Sequence, residues 1–219
     1  MGSIRSFLRA LTLRRVLVYL LGVLLLACGI TLNTKTNLGV APILSVAYNL
    51  SLLLGIPFST MSFFYYCFLI LFQLLLLGKG FAPVQWLQLG VSFLVSAFIG
   101  LFGRLLPEAG PAPARAVFLL VAILLTGAGI VLTVGADLIP NPGDGAAAAI
   151  ARRSGWSLGL SKNVLDISSF AVALALGLLF RGRILGVGIG TVAAMLLTGR
   201  AVAVLQKPLL RLFSLSLPR

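Results

Sequence analysis

Histidine is absent from the 219 residues, and aspartate and glutamate together number four. The first absence removes the commonest general base and the commonest biological metal ligand. The second leaves few groups able to carry acid chemistry, and no nucleophile stands beside a base, so neither an enzyme nor a cofactor or metal site is expected. Cysteine is scarce too: Cys28 and Cys67 both lie inside apolar runs and read as small buried hydrophobes, too few for a disulfide or zinc framework. Charged residues make up 10% of the chain, where a soluble domain carries about a quarter. What is abundant is apolar surface, 60% of residues, with a mean hydropathy of +1.13. Together these exclude an ordinary soluble domain and point to an all-α, polytopic membrane helix bundle.

Lys and Arg outnumber Asp and Glu by 17 to 4. On a soluble protein that excess would suggest nucleic acid. Here the basic residues sit at the ends of apolar segments, where they orient helices and meet anionic headgroups, so the expected partner is the lipid bilayer. Arg5, Arg9, Arg14 and Arg15 precede an apolar run, and Leu25-Leu26-Ala27-Cys28 resembles a lipoprotein cleavage box. The leader is long, however, and the run continues past Cys28 to Leu32, which favours a first transmembrane helix with its amino end in the cytoplasm.

Eight apolar segments can be drawn, at 15–33, 42–54, 57–77, 84–106, 115–135, 143–153, 160–180 and 185–206. Six are long enough to span ~30 Å of hydrocarbon; the second and sixth are not, since a helix over 143–153 extends only ~16 Å. The order of segments repeats. At an offset of one hundred residues Gly29 matches Gly129, Pro42 matches Pro142 and Gly55 matches Gly155. The expected organisation is a basic leader at 1–14, a first four-segment unit at 15–106, a Pro/Gly-rich seam at 107–114, a second unit at 115–206 and a cytoplasmic tail at 207–219. If each short segment crosses, the halves are parallel, and Arg104 and Arg115 share the inner face with the leader while Lys79 lies outside. If the short segments dip and return, the halves are inverted and those three residues change sides. The first arrangement gives the more lopsided distribution of positive charge and is the one expected.

Small residues recur every four positions in the last helix of each unit, at Ser92, Ser96 and Gly100 and at Gly186, Gly190, Ala194 and Thr198. That spacing suits close helix packing in lipid, inside the chain or in a homodimer. Trp86, flanked by Gln85 and Gln88, and Trp156 read as interfacial anchors. Lys35 and Arg200 read as snorkelling side chains at the boundary.

Of the four carboxylates, Glu108 belongs to the seam, while Asp137, Asp144 and Asp166 fall in the second unit. An ionisable side chain at membrane depth is expensive and is a functional candidate by default. If Arg152 and Arg153 mark the inner surface, the short helix lifts Asp144 by ~14 Å and the next helix lifts Asp166 by ~13 Å, to one level. Lys162 lies one turn below Asp166, an i, i+4 pair, with Asn163 beside it. One reading makes Asp144, Asp166, Lys162, Asn163 and Asn141 the polar floor of a site for a small solute or ion, with Asp137 at the break. The other makes Asp144 a helix cap and Lys162 with Asp166 an internal ion pair. In the first unit Asn37 and Ser45 occupy related places, with no acid.

These elements carry a resemblance. Asn37-Leu38-Gly39-Val40-Ala41-Pro42, the stretch from Gln85 to Phe93, Pro142-Gly143-Asp144-Gly145, the spaced Lys162 and Asp166, and Gly186-Val187-Gly188-Ile189-Gly190-Thr191 make the chain similar to YczE/YyaS/YitT-type bacterial membrane proteins over about Arg14 to Leu205. The resemblance implies a bacterial plasma-membrane protein with an acidic element at Asp144, and it assigns no reaction. Members often carry an acid where Gly100 stands and Gly-Pro near Thr198 to Arg200, and this chain departs from both. The expectation is a transporter of a small solute or ion with its site at the broken helices. The alternative is a non-catalytic accessory or regulatory subunit, including a substrate-capture subunit of an importer, acting through a membrane protein partner.

Overall fold

The computed structural model describes residues 11–215. Of the leader and tail, Arg5, Arg9 and Arg219 lie outside the described residues. The chain forms eight helices and no strand among the described residues: α1 (Leu13–Lys35), α2 (Ser45–Leu54, entered through a 3-10 turn at Pro42–Leu44), α3 (Phe58–Leu77), α4 (Gln88–Leu105, preceded by a 3-10 turn at Pro83–Leu87), α5 (Ala112–Ala136), α6 (Pro142–Ser154), α7 (Leu158–Arg181) and α8 (Ile189–Leu212). Six helical stretches are long and apolar enough to cross a membrane, and α2 and α6 are not among them. Large apolar side chains such as Phe64, Phe68, Leu75, Phe93, Leu120, Leu179 and Phe180 face outward, as they must when the surrounding solvent is lipid. The chain is a multi-pass integral membrane protein.

The breaks follow from local chemistry. Pro42 and Pro142 lack the N–H that a continuing helix needs, and each is accommodated at the start of a new one. Ahead of each proline the chain reverses through a left-handed residue, Asn37 at φ 55° and Asp137 at φ 52°, one hundred positions apart. Asn and Asp are the side-chain-bearing residues that enter this region most readily. The short helices also end alike, on left-handed Gly55 and Gly155.

Helices α1 and α5 form the most extensive contact in the bundle. A Cβ on Gly129 would stand 2.5 Å from the Leu26 amide nitrogen and 2.7 Å from the Gly22 carbonyl, and one on Gly29 would stand 2.6 Å from the Thr126 amide. Two backbones meet directly, which is how helices gain dispersion energy in lipid. The pairing is antiparallel: Gly22 faces Thr133, Leu26 faces Gly129 and Gly29 faces Thr126. At the end of α1, the Ala109 amide donates to the Lys35 carbonyl.

This overturns the expectation of parallel halves. The first helices of the two units run in opposite directions, and the short helices turn back instead of crossing. Phe58 and Ser59, which follow α2, line the same cavity as Lys35, so α2 returns the chain to the end of α1. Likewise Gly80, which follows α3, lies 3.8 Å from the Arg152 guanidinium as gauged from its Cβ direction, which puts the exit of α6 beside the exit of α3. Arg14 donates to the Phe213 carbonyl, so the two ends of the bundle share a face. Arg104 and Arg115 therefore stand opposite Arg14, and Lys79 stands with it. The count of positive charge depends on Lys79, Arg104 and Arg115, whose sides reverse according to whether the short helices cross or return.

Replacing Gly129 with Val should force α1 and α5 apart and lower stability by about 1–3 kcal/mol, the usual range for overpacking. The check is the thermal midpoint in detergent against Gly90→Val, a site with open space around it; equal midpoints would contradict the backbone contact.

Candidate functional site

The amino ends of the two short helices meet inside the bundle. Ile43 and Gly143 stand in contact range, 3.2 Å from the Ile43 Cγ1 to where a Gly143 Cβ would lie. The junction is heavily hydrogen-bonded. The Asn141 Oδ1 accepts from the Gly143 amide at 2.9 Å, capping α6. The Tyr19 hydroxyl donates to the Ile139 carbonyl at 2.8 Å. Asn33, with its amide turned to satisfy both neighbours, donates to the Gly39 carbonyl and accepts from the Ala41 amide, each at 3.2 Å. The Val40 amide donates to the Gly186 carbonyl at 3.1 Å and to the Thr191 hydroxyl at 3.0 Å.

Beside this junction lies a cavity of about 300 Å³ lined by α1, α3, α5, α6, α7 and α8. Asp144, Lys162, Asn163, Asp166 and Asn141 all line it, so five of the sequence candidates are brought together. Counting along the helices, Asp144 stands ~15 Å from the end of α6 at Ser154 and Asp166 ~12 Å from the start of α7 at Leu158. With α6 and α7 joined at 155–157, both carboxylates stand well inside the bundle.

The ion pair differs from the one expected. The Lys162 ammonium reaches the Asp144 carboxylate on α6 at 2.7 Å, with the two side chains 39% and 25% exposed, and makes no ion pair with Asp166. The order on α7 explains part of this, since an i, i+4 pair with the base first is the weaker orientation. Asp144 in addition occupies the first turn of α6, where the helix dipole favours a negative charge. Asp166 is left facing the cavity without an ion-pair partner within 4 Å among the described residues. Asp144 thus cross-links α6 to α7 as well as sitting at a helix start.

Three candidates are elsewhere. Asp137 is the exposed left-handed cap of α5. Ser45 is buried and donates to the Pro42 carbonyl at 2.6 Å, stitching the 3-10 turn to α2. Asn37 lines a second cavity of about 610 Å³, with Thr34, Lys35, Tyr48, Arg104 and Glu108. There Lys35 is not a snorkelling side chain: it is 17% exposed and pairs with Glu108 at 2.7 Å, tying the end of α1 to the seam. The two cavities share no lining residue, and α1 stands between them, with Thr31 and Thr34 on one side and Ile30 and Asn33 on the other.

Sequence reasoning missed the support behind Pro142. Gln73 and Gln88, both fully buried, exchange two amide hydrogen bonds at 3.0 Å, and the Gln73 amide also donates to the Pro142 carbonyl at 3.2 Å. The available signal was Gln73 itself, a lone amide in the apolar run from Phe58 to Leu77. Trp86 is exposed, whereas the neighbouring Gln88 turns inward.

A family model described as a family of unknown function (DUF6198) matches residues 13–207, and the chain belongs to that family. No curated protein and no solved structure matches the chain.

Asp144→Asn and Lys162→Met should each lower stability by about 1–3 kcal/mol, less than the ~3–5 of a fully buried pair because both groups are partly exposed. The double variant should lose less than the sum of the two, and additive losses in the thermal midpoints would show that the pair contributes nothing.

Proposed function

We propose that this member of the DUF6198 family carries a small solute or ion across a bacterial plasma membrane, with its amino end in the cytoplasm. Kinship with YczE/YyaS/YitT-type proteins is part of the same proposal. The observation that carries it is the cavity at the meeting point of the two broken helices, with Asp144, Lys162 and Asp166 on its wall. Charged side chains at that depth are expensive in hydrocarbon, and transporters place them where discontinuous helices line a watery site.

Three features support the reading. Positions one hundred residues apart share unusual backbone conformations, and α1 crosses α5 antiparallel, as two units related by a twofold axis in the membrane plane would do. The second cavity lies at the opposite end of the same framework, near the end of α1 and the start of α3, where the first stretches from the middle of α5 to the start of α7. The two share no lining residue, and α1 stands between them. Basic residues also favour the face holding Arg14 and Arg15, which carries Lys79, Arg152, Arg153, Lys207 and Arg211, over the face holding Lys35, Arg104, Arg115, Arg181 and Arg183.

The test is a thermal-shift screen of small solutes on the purified protein in detergent. A ligand that raises the midpoint of the wild type should fail to do so for Asp144→Asn and for Asp166→Asn, while both variants remain monodisperse. Normal stabilisation of both variants would place binding elsewhere. A stoichiometric copurifying polypeptide with no responding solute would favour an accessory subunit.

A further inference from the structure

We infer that the ligand of the Asp144 cavity is an organic cation: a compact apolar body bearing one positive charge. This rests on the transport reading for the use of the site, and it adds the chemical class. Most of the cavity wall is aliphatic, including Leu26, Ile30, Ile43, Ile123, Ile130 and Met195, and the charged groups all come from α6 and α7. A small hydrophilic ion would leave that wall facing water, whereas an apolar body covers it. The volume of about 300 Å³ sits at the low end of ligand pockets, which limits the occupant to a small molecule.

The sign follows from the charges on the wall. Asp144 and Asp166 contribute two carboxylates and Lys162 one ammonium, so the wall carries one negative charge in excess. The ammonium is in contact with Asp144 at 2.7 Å, which leaves Asp166 without a contact ion pair among the described residues. The amino end of α6 adds little attraction for an anion, because Asn141 caps it and Asp144 sits in its first turn. A cation seated against the aliphatic wall within reach of Asp166 neutralises the site.

The route is also consistent with an amphiphile. Leu158, Lys162 and Asp166 on α7 and Met195 and Thr198 on α8 all line the cavity. Helix α8 packs on α5, and α7 packs on α2 and α6, but α7 and α8 do not pack face to face with each other. The entry route proposed for a molecule dissolved in the bilayer is this seam between α7 and α8.

The experiment uses benzyltrimethylammonium, whose charge is fixed, its neutral isostere neopentylbenzene, and the anion benzenesulfonate, each titrated into the full-length protein in nanodiscs by calorimetry. The cation should bind at least about tenfold tighter than the isostere, and the anion should not compete. Asp166→Asn should weaken the cation by about tenfold or more, and Lys162→Gln, which leaves two uncompensated carboxylates, should tighten it. The inference is overturned if the isostere binds equally well, if the anion binds preferentially, if Asp166→Asn binds the cation unchanged, or if none of the three probes binds the wild type. The wild-type comparison holds even if a variant fails to fold. Flux of the cation into proteoliposomes separates the two proposals. Binding without flux sinks transport and leaves the ligand class standing; movement of a polar solute without cation binding does the reverse.

Discussion

Inside hydrocarbon, every backbone N–H and C=O released by a helix break must find a partner within the protein, because no water is there to supply one. This chain has two such breaks inside the bundle and meets the requirement twice, by different means. In the first break, Asn33 bridges the Gly39 carbonyl and the Ala41 amide, the Thr36 hydroxyl accepts from the Leu38 amide, and the 186–191 loop takes up both Val40 and Leu38. In the second, Asn141, Tyr19 and Gln73 do the equivalent work at Gly143, Ile139 and Pro142. Asn33, Thr36, Ser45, Gln73, Asn141 and Thr191, all buried, serve this duty, while other buried polar side chains such as Asn49, Ser92 and Thr133 bond elsewhere. The Asp144–Lys162 pair and Asp166 take no part in either set of hydrogen bonds, and they are the charged groups that line the cavity.

The same requirement explains why the bundle closes as it does. For the short helices to dip and return, their amino ends must be held at the centre, and the long helices beside them must approach closely enough to shield the exposed turns. Gly29 and Gly129 allow that approach between α1 and α5, and the Gln73–Gln88 amide pair braces the second turn from behind. The cavity lies where this framework is least filled, between the α1–α5 crossing and the α7–α8 seam. Its charged wall comes from the α6–α7 hairpin, so the pair that lines the site also holds that hairpin together.

Much of this architecture was legible in the sequence. Six long apolar segments and two short ones were visible from length alone, and the matched glycines and prolines marked the two breaks. The prolines could be placed as breaks because their effect acts on the nearest turn, but the cap of α6 is Asn141, three residues before the Asp144 expected to serve as one. The sense of the halves could not, because Lys79, Arg104 and Arg115 change sides according to whether ten apolar residues cross or return, and both outcomes satisfy hydropathy. The partner of Lys162 was misjudged for a related reason. Sequence spacing shows neighbours on one helix, Lys162 and Asp166, but not the carboxylate that a hairpin brings across from another. Gln73 and Thr191 were missed because their role depends wholly on tertiary contacts.

The central claim is that water reaches the polar wall of a cavity deep within the bilayer-spanning bundle. A spin label at Asn163→Cys in nanodiscs, in a background with Cys28 and Cys67 replaced, measures this directly by power saturation with oxygen and with a water-soluble nickel chelate. Strong collision with the chelate is predicted, together with weak collision at an outward-facing control in the middle of α7 such as Val172→Cys. A label at position 163 that meets oxygen but not the chelate would contradict the account.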